Sequence, residues 1–128
     1  MDLSTKAEPG YLRATVTGDF VLADANQHFL ALVDQIAKGR TGRVLIDGRA
    51  VTGAPRAIER YLYTVFAART TEMFLGNLHL APRFAYVLTP PVLDPHRMGE
   101  KLARNRGLNV RAFESNEEAL AWLVGPSR

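Results

Sequence analysis

Two periods of apolar residues alternate along this chain, and the switches between them divide it into elements. Residues 2–6 predict a short strand and 11–17 a better one, since Tyr-Leu-Arg-Ala-Thr-Val-Thr alternates through Leu12, Ala14 and Val16. Between them lies Glu8-Pro9-Gly10, where proline presets φ and glycine supplies a positive φ, so a β-hairpin is predicted. Gly18-Asp19 breaks the strand and places Asp19 to cap the next element. From 21 to 38 the period lengthens. Leu22, Ala25, Phe29, Leu32, Val33 and Ile36 fall three and four apart, forming one stripe on a helix that Gly39 ends. His28 lies off that stripe and is expected to be exposed.

Arg43 to Asp47 is a short continuous apolar run, the pattern of a strand buried on both faces of a parallel sheet. A loop from Gly48 to Ala54 leads to Pro55, which suits the first turn of a helix reaching Phe74. Ile58, Leu62, Val65, Phe66 and Met73 are its expected core face, with Tyr61, Tyr63 and Phe74 outside it. Residues 83–89 predict a strand stopped by Pro90-Pro91. Asp94-Pro95 predicts a helix start, with its end near Asn105 and Gly107. Gly99 inside that helix costs about 1 kcal/mol relative to alanine and marks a close approach by another element. A strand over 109–113 follows, then a last helix opened by the capping box Ser115-Asn116-Glu117-Glu118 and ended by Gly125-Pro126. Strands alternating with helices after a hairpin predict a single α/β domain over 1–128. Its sheet is five-stranded and mixed, mostly parallel, with four helices.

Composition changes this picture only at the margins. Cysteine is absent, which excludes disulfides, thiolate metal sites and cysteine nucleophiles. The first ten residues show no basic n-region followed by an apolar stretch, and no run approaches a membrane span, so a cytoplasmic protein is expected. The net charge of +3 is local: five of the 16 basic residues lie in 95–111, with one of the 13 acidic ones. Basic residues without interleaved aromatics or a recognition-helix pattern argue against nucleic-acid binding. The three histidines are far apart in sequence and none has a metal-ligand spacing. No hydrolase, P-loop, dinucleotide or zinc-protease motif occurs, so the expectation is a non-enzyme with no cofactor and no metal.

Three segments carry a resemblance: VLIDGRAVTGAPRAIERY (44–61), PPVLDPHRMGEKLARNRGLNVRAF (90–113) and EEALAWL (117–123). With the hairpin and first helix, they make the chain resemble the STAS-like superfamily, in particular its SpoIIAA-like branch, grouped with SEC14-type lipid-binding folds. The resemblance implies a STAS-like fold with either a regulatory protein–protein role or binding of a small apolar or lipid ligand. Regulatory members carry a phosphorylatable hydroxyl where the loop after the central strand enters its helix. Here Arg56 and Ala57 fall at that place, and Thr52 is the one hydroxyl in the loop.

Three candidate surfaces follow. In the loop 47–56, Asp47, Arg49, Thr52, Gly53 and Arg56 would form an anion- or partner-binding site at a helix N-terminus, or else an ordinary strand-to-helix turn. Arg97, Lys101 and Arg104, spaced i, i+4, i+7, share one helical face, which would meet an acidic partner or a phosphate, or only solvent. Tyr61, Tyr63, Phe66 and Phe74 give the long helix more apolar surface than one contact requires. A homodimer interface, an apolar pocket, or cover by residues 75–82 would account for it.

Overall fold

The computed structural model describes residues 1–125. Five strands, β1 (Asp2–Glu8), β2 (Tyr11–Asp19), β3 (Arg43–Thr52), β4 (Arg83–Val87) and β5 (Asn109–Phe113), form one sheet in sequence order. The hairpin pair β1–β2 is antiparallel and the remaining pairings are parallel. Four helices connect and close it: α1 (Leu22–Gly39), α2 (Ala57–Leu75), α3 (Met98–Asn105) and α4 (Asn116–Val124). Parallel strands added in one direction through crossovers of one hand put every crossover helix on the same side. Accordingly α1, α2 and α3 cover one face, over a core that includes Ala14, Phe29, Leu32, Ile46 and Phe84. Helix α4, which connects nothing onward among these strands, covers Leu45, Ala85, Val87 and Phe113 on the other.

The α1 stripe is buried as its spacing predicts, through Ala25, Phe29, Leu32, Val33 and Ile36. Its ends differ from expectation. Asp19 stays in β2, paired with Thr52, and its carboxylate accepts the Thr52 hydroxyl rather than capping α1. Val21 stands at the cap, and Asp24 in the first turn holds the Met1 amine at 3.0 Å. At the other end the helix includes Gly39, and Arg40 takes the left-handed conformation (φ 49°). His28 is half-buried, with Nε2 3.2 Å from the Met1 carbonyl.

Strand β3 is twice as long as its apolar run. Thr15 pairs with Asp47 and Thr17 with Ala50, so β3 carries one extra residue between those pairs. A bulge of this kind shifts the inward-facing positions by one. Ile46 points into the helix-covered core before the bulge and Val51 after it, which hides the alternation in the sequence.

Helix α2 is rotated relative to its expected face. Ile58, Leu62 and Met73 are exposed, whereas Thr64, Ala67, Ala68, Thr70 and Leu75 are buried. Phe29 and Phe84 take up much of the core beneath the helix, and the small residues Ala67 and Ala68 face it. The buried Thr64 hydroxyl donates back to the Arg60 carbonyl (2.8 Å) and leaves no unpaired group. At Gly99 an added Cβ would lie 3.4 Å from Thr64 Oγ1, an ordinary contact distance, so α3 meets α2 there without requiring glycine. Helix α3 starts at Met98 rather than at Pro95, because Arg97 adopts φ 53°. Asp94 still caps, accepting the backbone N–H of His96 (3.2 Å) and of Met98 (2.8 Å).

Candidate functional site

The face beneath α1, α2 and α3 is not completely filled. A cavity of about 190 Å³ remains under the helices, reaching the carboxyl ends of β3, β4 and β5 through Gly48, Val51, Leu88 and Ala112. Its wall is almost entirely apolar, with Phe29, Leu32, Ile46, Val92 and Leu93 among the contributing side chains. Open α/β sheets place ligands beyond the carboxyl ends of their strands. Charged residues occur in the same wall: Arg60 from α2, Asp94 and Arg97 from the segment before α3, and Glu100 from α3.

Two tyrosines in the wall bring rings rather than free hydroxyls. Tyr63 Oη and Tyr86 Oη are 2.7 Å apart, and their rings meet edge to face at 6.5 Å. Burial pushes the Tyr63 phenol up to about 12, against a smaller downward pull from its bond to Tyr86. Tyr86 is raised well above the ordinary phenol range, first by burial and then by the neighbouring Tyr63.

Arg60 differs from the other charged residues of the wall. It donates from Nη2 to the Pro91 carbonyl, yet its Nε is buried without an acceptor, and it forms no ion pair among the described residues. Glu100 has a buried Oε2 without a hydrogen bond, but Arg97 and Arg104 stand 3.7 and 4.0 Å from its carboxylate. Arg97 also donates to the Ala112 carbonyl.

The structure scatters the three surfaces suggested by the sequence. Asp47 and Arg49 belong to β3, where the Asp47 carboxylate pairs with Arg49 (2.7 Å) and Arg13 (3.7 Å). The hydrogen bond from the Arg49 side chain, opposed by desolvation, holds Asp47 below the ordinary carboxylate range. Thr52 is engaged by Asp19, and Gly53 (φ 100°) turns the chain. Pro55 is buried ahead of the cap instead of opening the helix, since Arg56 is the cap residue. The Arg56 backbone N–H donates to the Glu59 carboxylate at 2.9 Å, so the chain supplies its own anion to this helix start. That hydrogen bond also lowers the Glu59 pKa.

Arg97, Lys101 and Arg104 do not form one free basic face. Arg97 lies outside the helix, and both arginines reach back to Glu100, leaving Lys101 exposed on its own. The four aromatic residues of α2 also part. Tyr63 lines the cavity and Phe66 packs on the same core, while Tyr61 and Phe74 are 45% and 52% exposed. Segment 75–82 covers part of the helix end through buried Leu75 and half-buried Leu80. Sequence reasoning missed Arg60 altogether. Its one signal was a cation on the inner side of a helix three of whose apolar residues, Ile58, Leu62 and Met73, were assigned to the wrong face.

No protein-family model and no curated protein matches the sequence. The fold is similar to the crystal structure of an anti-sigma factor antagonist from Mycobacterium paratuberculosis, with a TM-score of 0.61. The superposition covers 95% of this chain and 92% of that one, at 14% identity. The fold is STAS-like. In this fold the cavity lies beneath the crossover helices, and the start of α2 stands at the edge of the sheet's carboxyl end. No helix among the described residues is long and apolar enough to cross a membrane. Among them, no three His, Asp or Glu side chains gather as a metal would need.

Proposed function

We propose that this chain is a non-enzymatic, cytoplasmic regulatory module that docks a protein partner through the first turns of α2. The observation that carries the reading is the exposed apolar stripe Ile58, Tyr61 and Leu62, which are 53%, 45% and 44% exposed. They lie three and four apart, on one helical face immediately after the β3 loop. Large apolar residues gathered this way on one helical face mark a contact site. The fold likeness to an anti-sigma factor antagonist supports a partner that is a protein. The helix start offers no switch hydroxyl at Arg56 or Ala57, and the loop's one hydroxyl, on Thr52, donates to Asp19.

The test is co-purification from the source cell with the tagged wild-type chain, Leu62→Glu, and Leu30→Glu as an equally exposed control on α1. Wild type and Leu30→Glu are expected to retain the same partner, and Leu62→Glu to lose it at least about ten-fold. Equal retention by all three overturns the assignment. A homodimer that Leu62→Glu dissolves would instead assign the stripe to a second copy of the chain.

A second reading, a carrier of small apolar molecules or lipids in the SEC14 manner, draws on the cavity. Its volume of about 190 Å³ limits the cargo. An apolar cavity of about 150 Å³ takes up one benzene, and drug-sized ligands occupy about 300–1,000 Å³. A two-chain lipid does not fit without the helices moving apart, so the cavity favours a ligand near the size of one ring.

A further inference from the structure

We propose that the cavity binds a small monocarboxylic acid with an aromatic or branched aliphatic body, its carboxylate held by Arg60. This inference goes beyond the docking surface and does not depend on it. The apolar wall fixes the body of the ligand, because a polar group placed there forfeits its hydration without compensation. The volume fixes its size at about one ring with a short substituent.

Arg60 fixes the charge. Among the charged residues of the wall, Asp94 spends both oxygens on backbone N–H groups, Arg97 is bound to Glu100 and the Ala112 carbonyl, and Glu100 faces two arginines. Arg60 alone keeps a buried donor nitrogen without an acceptor, and although its charge helps to lower the Asp94 pKa, no carboxylate lies within 4 Å of it among the described residues. A buried guanidinium N–H without an acceptor costs about 1–3 kcal/mol, and a carboxylate is the acceptor its planar fork matches. Val92 and Leu93, in the segment leading to Asp94, form part of the apolar wall that would meet the body of the acid.

The test titrates phenylacetate and 4-methylpentanoate into the intact chain, with toluene and phenylacetamide as uncharged counterparts. Binding is read by methyl NMR shifts of Val51, Val92 and Leu93 and by the melting temperature. Both acids are expected to shift these methyls and raise the melting temperature. Toluene and phenylacetamide should bind at least about ten-fold more weakly, the worth of one charge-assisted hydrogen bond. Arg60→Gln should remove that preference for the acid while leaving the affinity for toluene unchanged. Ala103→Leu, which fills the cavity, should block all four compounds. The proposal is overturned if phenylacetate and phenylacetamide bind alike, if Arg60→Gln keeps the preference, or if no compound shifts the methyls at millimolar concentration. Each result leaves the Leu62→Glu experiment untouched, so the two proposals fail separately.

Discussion

Replacing Tyr63 by phenylalanine removes one hydroxyl from a half-buried pair and strands the other. The two hydroxyls are 2.7 Å apart and satisfy each other beside a cavity with almost no polar wall. Leaving Tyr86 Oη unpaired costs about 1–3 kcal/mol, and Tyr86→Phe does the same to Tyr63 Oη. In the double variant neither hydroxyl remains and the rings keep their shape, so the loss falls to about 1 kcal/mol or less. The expected coupling is therefore about 1–3 kcal/mol, with the two single losses failing to add. Urea unfolding followed by circular dichroism measures all four proteins, and an unchanged m value shows that only stability moved. Additive losses, or single variants within about 0.5 kcal/mol of wild type, would refute the reasoning, because a water in the cavity would then be satisfying the stranded hydroxyl. The same pair sets an alkaline limit. Both phenols titrate higher in the fold than the ordinary value near 10, so between them and that value the unfolded chain releases protons first. Stability is complete below pH 10 and declines toward pH 12; the double phenylalanine variant should not show that decline.

Three further outcomes are expected. Asp47→Asn should cost about 0.5–1 kcal/mol at neutral pH, since its Arg49 partner is exposed. Because Asp47 is lowered in the fold, its contribution is present above the ordinary value of 3.8 and lost as pH falls below it, and an acid titration of the variant should be correspondingly flatter. Gly53→Ala should destabilise by more than about 1 kcal/mol in thermal melts, because φ 100° is strained for any side chain. Ser115→Ala removes the acceptor for the Glu118 N–H (3.3 Å) and should cost about 1 kcal/mol by urea unfolding.

The hairpin, α1 and α4 could be read from local chemistry because each has one clear determinant: a Pro-Gly turn, a single apolar stripe, and a capping serine. Three features could not. The β3 bulge resets which residues face inward, so Gly48 to Thr52 looked like a loop. Asp94 caps a turn before the helix, and only the backbone of Arg97 decides where α3 begins. Helix α2 carries large apolar residues on both sides, and periodicity has no means of choosing between them; the aromatic residues beneath it made that choice. The cavity and Arg60 are products of that choice, which is why the site was invisible while the fold class was not.

Helix α2 also joins the two proposals. One side carries Arg60 and Tyr63 into the cavity wall, and the other carries Ile58, Tyr61 and Leu62 to solvent, all within two turns. A rigid rod cannot shift on one side only. If an acid in the cavity changes the pose of α2 and weakens the partner by some factor, thermodynamic reciprocity requires the partner to weaken the acid by that same factor. The chain would then report a metabolite to a protein with no phosphate transferred, and the size of the exchange is open to direct measurement from either end.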